Sequence, residues 1–253
     1  MKNTLQKITA ISIIFLLLLA QMNCSKENAS PSGNNPANTF CKLISDQTSG
    51  GASDQFTYQK DGKLSSMKGS DSIIYNYVNS TTVYMFHNLS WDTLSLSNGL
   101  VNKSVNGTNV MNFYYDANGF LIKQSAPISP PGQSQVADYT WSNGNLTAQH
   151  SYTTGPSGTQ DNGTLTMTYN NIVNKTNIAI VGVGYGGDSY ISTGLFGKNS
   201  TNFPVSIKFL ASGSNQNLRV NYTFDNNNLP TKFSVIDSTG ANLNSVTLNF
   251  SCN

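Results

Sequence analysis

The chain has 253 residues, of which 10% are charged, with 14 Lys and Arg against 12 Asp and Glu for a formal net charge of +2. That balance excludes the basic footprint of a nucleic-acid-binding surface. With so few charges, a folded surface has to be built largely from Asn, Ser and Thr.

Lys2 and Lys7 are the only charges before an apolar run over residues 8–20. The run is shorter than the roughly 20 apolar residues that span a bilayer, and its basic lead makes it a secretory signal pattern. Residues 1–23 read as a lipoprotein signal peptide. Cys24 follows directly and is the expected lipidation site, although Gln21, Met22 and Asn23 form a loose version of the small residues that normally precede such a cysteine. Residues 24–38, the lipidated cysteine and a stretch of Ser, Asn, Pro and Gly, cannot bury enough surface to offset chain entropy and read as a flexible tether. Glu27 within it is the only glutamate of the chain.

Residues 39–253 read as a single all-β domain. Cys41 and Cys252 stand at its two ends. In an oxidising compartment such a pair tends to form a disulfide, the alternative being two buried thiols. A bridge would place the first and last strands side by side or stacked at one edge. Between them helical periodicity is nearly absent, and a strand-turn-strand unit recurs. It reads Phe56-Thr57-Tyr58 before Asp61-Gly62 and Leu64, then Leu94-Ser95-Leu96 before Asn98-Gly99 and Leu100. It returns as Phe113-Tyr114-Tyr115 before Asp116 to Gly119 and Leu121, as Tyr139-Thr140-Trp141 before Asn143-Gly144 and Leu146, and in degenerate form as Tyr222-Thr223-Phe224 before Asp225 to Asn228 and Leu229. Residues two apart share one strand face, and Asn-Gly or Asp-Gly supplies the positive φ of a tight turn. Consecutive hairpins of this kind form an antiparallel meander, and Asp61, Asp116 and Asp225 read as turn residues. Residues 125–135, rich in Pro, and 154–163, rich in Gly, read as surface loops; residues 189–202 read as a short helix or irregular crossover.

Motifs that carry chemistry are weak. Gly182-Val183-Gly184-Tyr185-Gly186-Gly187 satisfies G-x-G-x-x-G, but neither a helix nor a βαβ unit follows, so no dinucleotide site is expected. Paired-carboxylate chemistry has only aspartates to draw on, most of them in turns; Asp92 beside Trp91 and Asp138 beside Tyr139 are exceptions. His87 and His150 lie far apart, with no spacing that suggests a metal or a triad. No catalytic residue, cofactor or metal is expected. Trp91 and Trp141 are the candidate stacking residues for sugar rings, against the plainer reading of core and cross-strand pairs.

The aromatic-turn-Gly-x-Leu units resemble diverged YD-type repeats. The tract from Gly194 to Ile207, with Asn174 to Ile178 upstream and the closing unit from Val220 to Phe233, resembles a domain-of-unknown-function family with a porin-like fold found in lipoproteins of Bacteroidetes-type bacteria. The resemblance implies an antiparallel meander curled into a partly closed or closed barrel, with at most one or two short helices. It also makes Ser25-Lys26-Glu27 similar to a surface-export tag, and Asp71-Ser72-Ile73 and Asp92-Thr93-Leu94 similar to O-glycosylation sites at Ser72 and Thr93. The family carries no established activity. Because most strands are too short and too polar on both faces to span a bilayer, the barrel is expected to be soluble and monomeric, touching the outer membrane only through its lipid, periplasm-facing or surface-exposed. The function expected is a non-catalytic binding or interaction module with a glycan or envelope-protein partner. The alternatives are a carbohydrate-binding lipoprotein using exposed, coplanar Trp91 and Trp141, and a hydrolase using His87 or His150.

Overall fold

The computed structural model describes residues 41–252 except positions 70, 71, 88, 130, 177, 180–193, 212 and 213. The expected signal peptide, lipidation site at Cys24 and tether therefore lie outside the described residues, as does the glycine motif at 182–187. The chain opens with β1 (Cys41–Thr48), β2 (Ser53–Tyr58), β3 (Leu64–Lys68), β4 (Ser72–Asn79), β5 (Thr82–His87) and β6 (Ser90–Ser97). It continues with β7 (Leu100–Asn106), β8 (Asn109–Tyr115), β9 (Leu121–Ile128), β10 (Gln133–Ser142) and β11 (Asn145–Gly155). Then come β12 (Gly158–Val173), β13 (Asn202–Ala211), β14 (Ser214–Phe224), β15 (Pro230–Ile236) and β16 (Asn242–Cys252).

Every strand pairs antiparallel with the next, and β16 returns to pair with β1, so the sixteen strands form one closed barrel. Closure is complete rather than partial, and no helix occurs among the described residues. Cys41 stands opposite Cys252 in the closing ladder, and the two form a disulfide with a Cα–Cα distance of 4.2 Å. The bridge closes a loop of 211 residues, which in the chain-entropy model constrains the unfolded state by about 5 kcal/mol.

Turn chemistry sets the register of the hairpins. Asn98-Gly99 and Asn143-Gly144 have positive φ at both positions, the backbone of a two-residue turn whose twist matches its strands. The longer turns place Gly62, Gly119 or Asn228 in the left-handed region. Asp116 Oδ1 accepts from the backbone of Asn118 and Phe120, and Asp225 Oδ1 from that of Asn227 and Leu229. These carboxylates shape turns.

The recurring aromatics do more than fill space. Near the end of β2, β4, β8, β10, β12 and β14 an inward ring donates to a backbone carbonyl of the strand before it. The bonds are Tyr58 Oη to Leu43 (2.6 Å), Tyr77 Oη to Leu64 (3.1 Å), Tyr115 Oη to Val101 (2.7 Å), Trp141 Nε1 to Leu121 (2.8 Å), Tyr169 Oη to Leu146 (2.6 Å) and Tyr222 Oη to Pro204 (2.8 Å). Tyr58, Tyr115 and Trp141 also face Leu64, Leu121 and Leu146 on the strand that follows. Each such ring therefore ties three consecutive strands. Burial pushes the Tyr169 hydroxyl up to about 12 and raises those of Tyr77, Tyr115 and Tyr222, so they remain donors at any ordinary pH. Leu96 on β6 and Phe250 on β16 hold equivalent places, facing Val101 and Leu43, without a side-chain donor.

The two faces of the wall differ sharply. On β14, Leu218, Val220 and Tyr222 turn inward while Asn215, Asn217, Arg219, Asn221 and Thr223 are exposed outside. On β2, Phe56 is buried and Ser53, Gln55 and Thr57 are exposed; on β16, Val246 and Leu248 are buried and Thr247, Asn249 and Ser251 are exposed. Alternation with period two produces this directly. One mouth of the barrel is covered by the connection from β12 to β13, an irregular crossover over its described residues. Ile178, Leu195 and Phe196 of that connection are buried in the apolar interior, with the Phe196 ring 5.3 Å from Phe113. The backbone of Lys175 accepts from Cys41, that of Leu195 from Val101, and Lys198 donates to Gly119. Gly197 sits here with φ +104°, and a Cβ on it would come within 2.9 Å of the Tyr115 ring and 3.0 Å of Gly119 O.

The two stretches expected to be loops are mostly strand. Residues 125–128 continue β9 and residues 133–135 open β10, while residues 154–163 form the ends of β11 and β12 around a turn at 156–157. Pro127 is accommodated because β9 pairs there with β10 alone: the β8 register ends at Ser125. Its missing N–H therefore falls on an unpaired side. Replacing Tyr169 or Tyr222 by Phe is expected to lower unfolding stability by about 1 kcal/mol each, whereas Tyr114→Phe, on an exposed outward ring, is expected to change nothing; urea denaturation of the three variants checks this.

Candidate functional site

Toward the covered mouth the interior is mainly aromatic and aliphatic, with Thr176 and the side-chain amide of Asn199 buried among it; the other end carries more of the buried polar groups. At the polar end Asp46, Asp54, Asp92, Ser104 and Gln149 are all buried, and each shares the inward register of core residues on its strand. Asn106 donates to both Asp92 and Ser90. Between β8 and β11 this end holds a cavity of about 80 Å³ lined by Met111, Gln124, Ala126, Ala137, Gln149 and Ser151. Gln135, exposed, stands at its rim. Gln149 Nε2 donates to Ser151 Oγ at 3.3 Å. The Oε1 atoms of Gln124 and Gln149 are sealed from water and accept no hydrogen bond from the protein.

Asp46 and Asp54 are direct partners across β1 and β2. Asp46 is only 2% exposed. Neither of its carboxylate oxygens closes a hydrogen bond of ordinary geometry. Burial pushes its pKa up to about 7, the negative charge of Asp54 adds to the rise, and the weak pull of the Asp54 backbone does not offset them. Gly69 packs against this pair so tightly that a Cβ would lie 1.8 Å from Asp54 Oδ1. The Asp46 carboxyl is sealed on both oxygens, so a substrate would have to displace the wall to reach it. The sequence pattern hides Asp46 because a bulge between Leu43 and Ser45 shifts the alternation, bringing both Leu43 and Asp46 inward.

The residues singled out in the sequence do not assemble into one site. Trp91 is on the outer wall and 52% exposed. Its ring lies 5.0 Å from Phe86 and meets Tyr84 edge-on at 6.4 Å, with Ile74 beside Phe86 in register. Leu89, at the tip of the same hairpin, is 93% exposed with φ +64°, a strained backbone for a leucine. This hairpin is thus an apolar strip on a polar wall. Trp141 lies inside the barrel, 4.6 Å from Phe120, with its N–H spent on Leu121. The two tryptophans are on opposite faces of the sheet, so the exposed, coplanar pair that the carbohydrate-binding alternative calls for does not form.

His87 shares the inward face of β5 with Val83 and Met85. His150 is on the outer face of β11, 3.2 Å from Asp161 Oδ1 and beside Tyr152. The histidines share no site, and no group of three or more His, Cys, Asp or Glu able to hold a metal occurs among the described residues. Asp138 faces Lys123 on the outer wall at 4.0 Å. Ser72 and Thr93 both point outward, Ser72 fully exposed and Thr93 half-buried.

The fold has solved counterparts. A porin-like protein from Bacteroides vulgatus superposes with a TM-score of 0.62 at 16% sequence identity, covering 83% of this chain and 98% of that one. A porin-like protein from Bacteroides uniformis gives 0.60 at 12% identity with the same coverages. At such identities the likeness is one of fold: a closed, antiparallel, porin-like barrel. No family model matches the chain, and no curated protein does.

The raised pKa of Asp46 has a consequence for stability. The unfolded chain releases this proton near the ordinary aspartate value of 3.8 and the folded chain near 7. The folded state is therefore favoured most below that window and loses ground as pH rises through it. A shift of that size is worth on the order of 4 kcal/mol at most. Asp46→Asn is expected to match the parent in thermal stability at pH 4 and to exceed it at pH 8, by roughly 2–4 kcal/mol; unfolding curves at the two pH values test this.

Proposed function

We propose that this chain is a non-catalytic, lipid-anchored envelope protein whose barrel stands in water as a binding module. The observation that carries the reading is the inverted distribution of polarity. A spanning barrel presents an apolar band to lipid and a polar lumen. This one packs Leu, Met, Phe and Tyr inside and turns Asn, Ser, Thr and Gln outward. Strands β1 to β9 and β15 have eight residues or fewer, short of the roughly 9–11 that cross a bilayer.

The anchor belongs to the same reading. Cys24 precedes Cys41 by a stretch able to reach about 60 Å when extended, and Cys41 leaves the barrel at the covered mouth. The polar mouth and the Leu89–Trp91 hairpin lie at the other end, where an envelope partner has access. Removal of the acceptor thiol tests this. In Cys24→Ala the protein is expected to leave the membrane fraction and enter the aqueous phase on detergent partitioning, while the parent stays with lipid. A Cys24→Ala protein that resists carbonate extraction would overturn the reading.

A second reading, carbohydrate binding on the outer wall, is favoured by the exposed Trp91 ring braced by Phe86 and Tyr84. A flat indole face of this kind stacks on sugar rings and other apolar surfaces. Trp91→Ala is expected to abolish retention on the glycan that the parent binds in a pull-down from intact cells, and to leave the unfolding midpoint nearly unchanged; undiminished retention would exclude this face.

A further inference from the structure

The ladder between β1 and β2 is built unlike the rest of the wall. Its rungs are Ser45–Gln55, Asp46–Asp54 and Gln47–Ser53. It is the one ladder among the described residues with no apolar side chain in any rung. Gln47, Ser53 and Gln55 are exposed, so the two buried aspartates are what this seam presents to the interior. The β2–β3 register ends at Gln55, which leaves Ser53 and Asp54 in a ladder with β1 alone, Gly69 pressed against them. Deeper in the wall β2 is held firmly: Phe56 faces Met67 in the core, and Tyr58 Oη donates to Leu43 O at 2.6 Å. On its other side β1 is held by β16 from Cys41 to Thr48.

We propose that the mouth end of β2, Ser53 to Gln55, is a proton-operated gate that stays paired with β1 while Asp46 is protonated and peels away when that proton is lost to water. Two carboxylates facing each other across one rung, both shielded from solvent, repel strongly. Peeling hydrates both charges, and the break stops at Phe56, where core packing begins. Burial and the charge of Asp54 push the Asp46 pKa up to about 7 in the closed wall, against an ordinary 3.8. Opening releases the proton, so it grows as pH rises through that window and levels off above it. The flanking elements offer Asp46 no cation. β16 sets Leu248 beside it and carries no ionisable side chain apart from the disulfide-bonded Cys252. Lys68 of β3 is exposed and pairs with Gln55. His87 of β5 and Asp92 of β6 also turn inward at this mouth, and burial keeps Tyr75 of β4 protonated.

The test is hydrogen–deuterium exchange of the full chain at pH 5 and pH 7, read by mass spectrometry on peptides covering Ser45 to Gln55 and, for reference, β14. After correction for the intrinsic change of amide exchange with pH, protection of Ser45 to Gln55 is expected to fall by more than tenfold between the two, as one proton released per opening requires. Protection of β14 is expected to hold. Asp46→Asn is expected to abolish the fall. If that variant does not fold, Asp54→Asn is expected to raise protection of the segment at pH 7 above that of the parent. Constant protection in the parent overturns the proposal, as does an equal fall in β14, the mark of global unfolding. So does a fall that persists in Asp46→Asn, or the absence of any gain in Asp54→Asn.

Discussion

Pairing of β1 with β16 is the contact on which the other features of this barrel depend. Fifteen of the sixteen ladders join strands adjacent in sequence, fourteen through short turns that make pairing inexpensive and one, β12 with β13, through the crossover; the sixteenth joins residues 211 positions apart. Without it the sheet has two long edges with unpaired backbone, the usual starting point for association between chains. Closing it also gives the sheet an inside. Only then does the period-two alternation of each strand sum to one common core, because every inward row meets the others across the lumen. The disulfide reinforces this non-local ladder, and the aromatic donors reinforce the local ones. Six of them stitch successive strands, so the wall is held both by its ladders and by side chains that cross them.

The apolar interior follows from the same closure and decides the character of the molecule. A sixteen-stranded circuit encloses more space than one layer of side chains fills. The chain answers with rings near the covered mouth and with the buried Ile178, Leu195 and Phe196 from the β12–β13 connection. The outer wall is largely Ser, Thr, Asn and Gln on strands such as β2, β14 and β16, with exposed apolar side chains such as Ile74, Tyr84, Trp91 and Ile122 set among them. Solved porin-like barrels share this path of the chain, but the placement of polarity is a property of the side chains, which at 12–16% identity are nearly all different.

How much of this was legible in the sequence depended on whether strand alternation stayed in phase. The hairpin units around Gly62, Gly99, Gly119 and Gly144 announced themselves because their turn residues have one conformational role. The cysteines at the two ends suggested the closing ladder. Asp46 could not be seen as a core residue, since the bulge after Leu43 moves it to the inner face. Pro127 misled in the other direction: proline marks a loop unless the strand lacks a neighbour on that side, and neighbours are a tertiary fact. Trp91 and Trp141 look alike in the sequence, each within a strand beside polar residues. Opposite phases put one on the outer wall and the other in the lumen. The paired glutamines were invisible for a related reason, as Gln124 and Gln149 lie on strands that touch β10 but not each other.

The unequal ends of the barrel bring these strands of argument together. The covered mouth receives the crossover, the disulfide and the aromatic donors, so it is cross-braced. The opposite mouth has short turns and no crossover among the described residues, and its inward positions carry Asp46, Asp54, Asp92, Ser104, Gln124 and Gln149. Polar groups held this deep weaken a core unless something satisfies them. Asp46 meets the cost by keeping its proton through most of the acid range. The Oε1 atoms of Gln124 and Gln149 are also sealed, and have no hydrogen-bond partner among the described residues. Side-chain bonds that cross from strand to strand gather at one mouth, while the buried carboxyls of Asp46, Asp54 and Asp92 gather at the other.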